Sequence, residues 1–218
     1  MNILEVYEKY KIMPQLQLHQ LRVAAVANQI CDHIKSPVDK DTVITACLLH
    51  DMGNIIKFNL KRTLDVSGDL VKPEDLSYWE AVQREFIETY GQDEHIASID
   101  IARKLGASEY VLECIESIDF GSALKNSKRT ELEPKICDYA DLRVSPHGIV
   151  SIDGRLEDGR KRYKDNPERW VSDEQWQALR SACYSTEKQV FDLTDITPTD
   201  ITDQSIEAII KKLKQYSI

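Results

Sequence analysis

The chain reads as an all-α protein, and three observations carry that reading. Apolar residues recur at spacings of three and four in one segment after another, which is the mark of a helix with one buried face. No run sustains the two-residue alternation of a half-buried strand, and there is no internal repeat. The periodic segments are bounded by residues that start or stop helices, among them Pro14, Gly91, Asp93, Gly106, Ser108 and Pro134.

In order, residues 1–13 form a short lead-in helix with Leu4, Val6, Tyr7 and Tyr10. Pro14 suits the first turn of a long helix, where its missing N–H has no partner to lose. Leu16, Val23, Ala24, Ala27, Ile30, Cys31 and Ile34 make its apolar stripe, and Pro37 ends it. Asp39 or Asp41 caps the next helix, whose apolar run Val43-Ile44-Thr45-Ala46-Cys47-Leu48-Leu49 leads to His50, Asp51 and Gly53. The weakly patterned stretch 59–75 reads as a long surface connection, of the kind that often covers a site. Leu76 to Tyr90 is helical up to Gly91, Asp93 caps a helix carrying His95, and Ser108 opens a third short one. Residues 121–130 read as polar loop. Pro134 begins a helix through Asp138 and Asp141 that ends by Pro146. Residues 154–164 form a helix of alternating charges, 173–193 a long amphipathic one, and the last helix holds Ile206, Ile209, Ile210 and Leu213.

At 218 residues one good core, or a core with an appended lobe, is expected. We divide the chain into a core over residues 1–150 and a C-terminal helical extension over 151–218. The apolar stripes of the extension must be buried, either on the core or at a homodimer contact. A net charge of -9 and a pI near 5.1 argue against binding along nucleic acid or an anionic membrane. They leave room for a small phosphorylated substrate, because a bound metal and a few arginines reverse the local field. Five scattered cysteines without a C-x-x-C pair read as reduced core filling. No apolar run approaches the roughly 18 residues that span a bilayer, so the expected location is the cytoplasm.

Four side chains stand out. His50 and Asp51 offer one nitrogen and one oxygen ligand from a single piece of backbone, and they converge on one ion if it sits where the helix ends near Gly53. His19 lies on the preceding helix, and Asp141 lies inside a half-buried later one, where an unpaired charge is costly. Two imidazoles and two carboxylates suit Mn²⁺, Fe²⁺, Co²⁺, Zn²⁺ or Mg²⁺, with positions left for water or phosphate oxygen. Each residue taken singly also has a structural explanation, such as a buried histidine held by a carboxylate.

The succession His19, His50-Asp51, Asp141 resembles the H…HD…D signature of the HD-domain superfamily of metal-dependent phosphohydrolases. The local contexts match as well: Leu18-His19-Gln20-Leu21-Arg22-Val23-Ala24, Leu48-Leu49-His50-Asp51-Met52-Gly53 and Tyr139-Ala140-Asp141-Leu142. The resemblance covers about residues 14 to 146. It implies a helical core whose motif residues hold at least one divalent metal, and hydrolysis of phosphate esters of nucleotides or related compounds. The segment Gly91-Gln92-Asp93-Glu94-His95-Ile96 resembles the intermediate histidine segment of members with two metals, which makes His95 a further candidate ligand. Such members usually add another histidine soon after. Here the corresponding helix reads Cys114-Ile115-Glu116-Ser117-Ile118-Asp119, without histidine, which speaks against a full two-metal site unless Asp119 substitutes as an oxygen ligand. Many members also carry lysine three residues after the Asp of the HD pair, where this chain has Asn54. Lys57, one turn further, is the replacement candidate, against the alternative of a solvated lysine.

Arg22 shares a face with His19 one turn away and is the first candidate to hold phosphate. Arg143, two residues after Asp141, is a second, and Arg155, Arg160 and Arg162 are weaker ones in a mixed-charge helix that reads mainly as a solvated face. His147 and His33 read as exposed and helix-end histidines. Tyr78 and Trp79 could stack a base but fit core packing better, as do Trp170 and Trp176. The expected activity is metal-assisted hydrolysis of a phosphomonoester or phosphoanhydride, with a nucleotide as substrate class and Asp51 as the catalytic carboxylate. The alternative is an HD-fold sensing or scaffold module that turns nothing over, suggested by Asn54 and the missing histidine.

Overall fold

The computed structural model describes residues 1–60, 71–163 and 172–218. Part of the connection expected over 59–75, the side chain of Arg162 and all of Trp170 lie outside the described residues.

Helix α1 (Ile3–Lys9) is capped by Asn2 and leads into α2 (Pro14–His33), which has Pro14 in its first turn. Ala24, Ala25, Val26 and Ala27 are buried in succession. A turn buried all round needs neighbours on every side, and α2 has them in α3 (Lys40–Leu49), α8 (Leu132–Leu142) and α11 (Asp203–Leu213). Its run of alanines lets those helices approach. Of the two possible caps for α3, the chain uses Asp39, whose carboxylate accepts from the Thr42 N–H at 3.1 Å. The chain then turns through His50 to Gly53 into a 3₁₀ turn, Asn54–Lys57.

Helices α4 (Leu76–Tyr90), α5 (Glu94–Lys104) and α6 (Glu109–Ser117) follow as expected, with Gly91 in a positive-φ conformation and Asp93 and Ser108 capping. Within the stretch expected to be loop, a single turn, α7 (Ala123–Asn126), is buried through Ala123 and Asn126. Helix α8 starts at Leu132, two residues before Pro134, and stops at Leu142. It does not reach Pro146. Val144–Ser145 (β1) and Gly148–Ile149 (β2) instead form a small antiparallel hairpin with Pro146 and His147 at its turn. A two-residue strand is too short to leave an alternating pattern, and among the described residues it does not alter the all-α class.

The C-terminal helices α9 (Ile152–Tyr163), α10 (Asp173–Phe191) and α11 pack on the core rather than standing apart. Ile152, Leu156, Cys183, Val190, Ile206 and Leu213 join the same buried cluster as α2 and α3. No helix among the described residues is long and apolar enough to cross a membrane.

Candidate metal centre

The site forms where α2, the C-terminal end of α3 and the C-terminal end of α8 meet. His19 Nε2 lies 3.0 Å from Asp141 Oδ1 and 3.5 Å from Asp51 Oδ2. His50 Nε2 lies 3.6 Å from both Asp51 Oδ1 and Asp141 Oδ1. The two imidazoles face each other with ring centroids 5.4 Å apart. Ligand atoms of His19, His50 and Asp141 all fall within 4.8 Å of one another, and Asp51 closes the fourth side.

The surroundings fix each side chain. His50 Nδ1 lies 2.8 Å from the Cys47 carbonyl. A carbonyl only accepts, so Nδ1 carries a proton, and Nε2 is the nitrogen left to bind a metal in place of its own proton. That Nε2 is buried and has no hydrogen-bond partner, which is the state a metal ligand needs. The Tyr7 hydroxyl donates to the Leu48 carbonyl at 2.8 Å and ties the end of α3 to α1. The Asp51 N–H donates to Gln20 Oε1 at 3.3 Å, so the residue after His19 positions the residue after His50. Gly53 has an ordinary φ of -91°, and the reason for glycine here is proximity. A Cβ would stand 2.2 Å from the Glu94 carbonyl, while the Gly53 N–H donates to Ser98 Oγ at 2.8 Å. The turn carrying His50 and Asp51 thus lies directly against α5.

Electrostatically the centre is built for a cation. Burial alone would lower the pKa of His50, but the Asp51 and Asp141 carboxylates outweigh it and raise the imidazole to about 9. Burial would likewise raise Asp141, yet the His19 imidazole at 3.0 Å and the His50 imidazole at 3.6 Å, with Arg155 nearby, hold it well below the usual carboxylate range. Without a metal, a proton on imidazole serves as the counter-charge. A divalent ion can take that role. The donor set, with one orphaned imidazole nitrogen and two carboxylates, fits a first-row divalent metal.

The remaining sequence candidates divide. Arg22 is half-buried beside the site, and its Nη1 reaches the Pro146 carbonyl at 3.4 Å. Lys57 Nζ is paired with Glu94 at 3.3 Å. His95 is half-buried in the first turn of α5, where its N–H donates to Asp93 at 2.9 Å, and it does not join the ligand cluster. Asp119 caps a short turn by accepting from the Gly121 N–H at 2.8 Å. The Arg143 guanidinium, a candidate to hold phosphate, is turned into the fold and buried. It donates to the Tyr139 hydroxyl at 2.6 Å, to the Pro198 carbonyl at 3.1 Å and to the carbonyls of Ile201 and Val150. Four of its five N–H donors are taken in this way, and two of them tie α8 to Pro198 and Ile201. Arg160 pairs with Asp173 at 2.6 Å. His147 is exposed, and His33 pairs with Asp195 at 2.7 Å. Tyr78 is exposed and packs edge-on against the half-buried Trp79.

Sequence reasoning passed over Gln20, Tyr7 and Asp138 and gave little weight to Arg155. For Asp138 a signal existed, since it lies three residues before Asp141 within an apolar run. For Gln20 the only hint was its place between His19 and the helix stripe.

No curated protein and no solved structure matches this chain. The family model for the HD domain matches residues 17–142, a span that starts before His19 and ends just after Asp141. The chain belongs to the HD-domain family.

Proposed function

We propose that this protein is a metal-dependent phosphohydrolase acting on a phosphomonoester or phosphoanhydride, with a nucleotide as the expected substrate class. The single observation that carries the reading is the buried, unpartnered Nε2 of His50 facing His19, Asp51 and Asp141. Those four residues would hold a divalent metal, which when bound polarises a phosphoryl oxygen and brings the pKa of a water toward neutrality.

The chain's own groups supply the rest. Asp51, fixed through its N–H by Gln20, orients the attacking water and accepts its proton. Attack forms a P–O bond to that water and breaks the bond to the ester or anhydride oxygen, which leaves with a proton. Arg22, at the edge of the site, offsets the charge that builds on the phosphoryl oxygens, and Lys57 is a second cation nearby. The free thiols of all five cysteines suit the reducing cytoplasm.

Hydrolysis of a nucleotide panel in the presence of Mn²⁺, Co²⁺ or Mg²⁺ tests the proposal. Wild-type protein should release phosphate or pyrophosphate, and Asp51→Ala should lose at least about 100-fold in rate. Equal rates in the two proteins would discard the mechanism.

The non-catalytic alternative has one specific observation in its favour. Asn54 is buried where many family members carry lysine, and the nearest replacement, Lys57, is already paired with Glu94. A sensing module would retain stoichiometric metal and bind nucleotide without cleaving it, which metal analysis together with the same panel distinguishes.

A further inference from the structure

Arg155 differs from Asp153 and Arg160 of the same helix, α9. Asp153 is held by Arg180 of α10 through two hydrogen bonds of 2.9 and 3.2 Å, and Arg160 is held by Asp173. Ile152 and Leu156 anchor the helix in the core. Arg155 lies between those anchors, and its side chain is only 12% exposed. It points inward to the metal centre, where Nη2 stands 3.9 Å from Asp141 Oδ2 and Nη1 stands 3.6 Å from Asp158 Oδ2. Both separations exceed a hydrogen bond. Its Nε is buried and has no partner.

An arginine whose task is to lock two helices closes on its carboxylate as a fork, with N···O near 2.7–2.9 Å. Arg155 stays back from both carboxylates, and none of its N–H groups makes a hydrogen bond to the described residues. Arg143, two residues after Asp141, shows the contrasting case, with four of its five N–H donors taken by acceptors inside the fold. A planar donor with unspent capacity beside a ligand carboxylate is matched to an anion with several oxygens.

We propose that Arg155 is the phosphate-holding arginine of this centre. It receives the non-bridging oxygens of a phosphoryl group next to Asp141, so that helix α9, beyond the matched family region, completes the site. Arg155 lies thirteen residues past the last matched residue, 142. The inference rests on reading the centre as a phosphate site but does not require that it hydrolyse anything.

The test is calorimetric binding of inorganic phosphate to the full-length protein loaded with Mn²⁺. Wild type is compared with Arg155→Gln, Arg155→Lys and, as a control, Arg160→Gln. Arg155→Gln should weaken phosphate binding by about tenfold or more, with Arg155→Lys intermediate because charge is kept and the fork is lost. Mn²⁺ affinity should change by less than about threefold, and Arg160→Gln should match wild type. If Arg155→Gln does not fold, the intermediate loss in Arg155→Lys carries the test. A merely structural arginine would lower the melting temperature and leave phosphate affinity unchanged, which overturns the proposal. Absence of phosphate binding by wild type at millimolar concentration overturns it too. Phosphate binding that depends on Arg155 in a protein that cleaves no nucleotide would sink the hydrolase reading and keep this one. Nucleotide cleavage with phosphate affinity indifferent to Arg155 would do the reverse.

Discussion

Asp138 and Asp141 stand one turn apart on α8, yet the protein treats them in opposite ways. Asp141 is reached by two imidazoles and approached by Arg155, and it stays ionised well below the usual carboxylate range. Asp138 is buried with Asn126 nearby, has an oxygen with no partner, and is pushed up by burial to about 8. The nearby Asp141 charge pushes it the same way. Being buried therefore does not mark a functional carboxylate on this helix. What marks it is the company of groups that favour its charged form.

The sharpest way to break the comparison is to neutralise the ionised member. Asp141→Asn keeps the shape and removes the charge, and it should cost at least about 100-fold in Mn²⁺ affinity, more than loss of an outer-shell partner. Titration of Mn²⁺ followed by metal analysis after desalting reads this directly. Retention of metal at wild-type levels would mean that Asp141 is a structural acid like its neighbour.

Arg143 and Arg155 repeat the contrast in cations. Replacing Arg143 by Ala leaves buried acceptors at Tyr139, Val150, Pro198 and Ile201 without their donor. The expected loss is about 2–4 kcal/mol of stability, with unchanged Mn²⁺ stoichiometry in the folded fraction. Urea unfolding checks the first part. A variant of native stability that has lost phosphate binding would restore Arg143 to the site.

This pair also shows how far the sequence could be read. His19, His50, Asp51 and Asp141 are legible because their order and neighbours are specific, and the helices are legible because apolar spacing and caps agree. Arg143 and Arg155 are not separable in one dimension. Each is an arginine two residues after an aspartate, Asp141 or Asp153, and only the path of the chain after Leu142 decides which one faces the ligands. That path is a two-residue hairpin, too short to have a periodicity, and it turns Arg143 inward and brings α9 back over the site. The same limit hides Asp138, since its protonation depends on burial beneath α7 and α10. Gly53 was legible as a glycine at a helix end, but its reason, the Glu94 carbonyl of α5, comes from tertiary packing.

Asp138→Asn tests the other side of the comparison. An acid whose pKa rises on folding contributes stability in full below its unfolded value of 3.8, and that contribution is lost as pH rises through about 8. The amide has no proton to lose, so the variant should be more stable than wild type at alkaline pH by about 1–3 kcal/mol. Its Mn²⁺ affinity should be unchanged. A loss of metal with this variant would tie Asp138 to the centre after all.

The smallest effect expected is the pH dependence of metal stabilisation, which sharpens the role of His50. In the metal-free protein its pKa is raised from 6.5 to about 9. It too contributes stability in full below 6.5, and loses it as pH rises through about 9. A divalent ion replaces the proton as counter-charge to Asp51 and Asp141, so bound metal removes this alkaline loss. The gain in melting temperature from saturating Mn²⁺ should therefore grow between about pH 6 and pH 9. A difference of about 1 kcal/mol corresponds to some 2–4 °C for a chain of this length. Asp138 titrates in the same window but is absent from the ligand cluster, so Asp138→Asn should leave this increment in place. His50→Ala should abolish it. An increment independent of pH in wild type would mean that the ion does not displace a proton from His50, and the centre would have to bind metal through other groups.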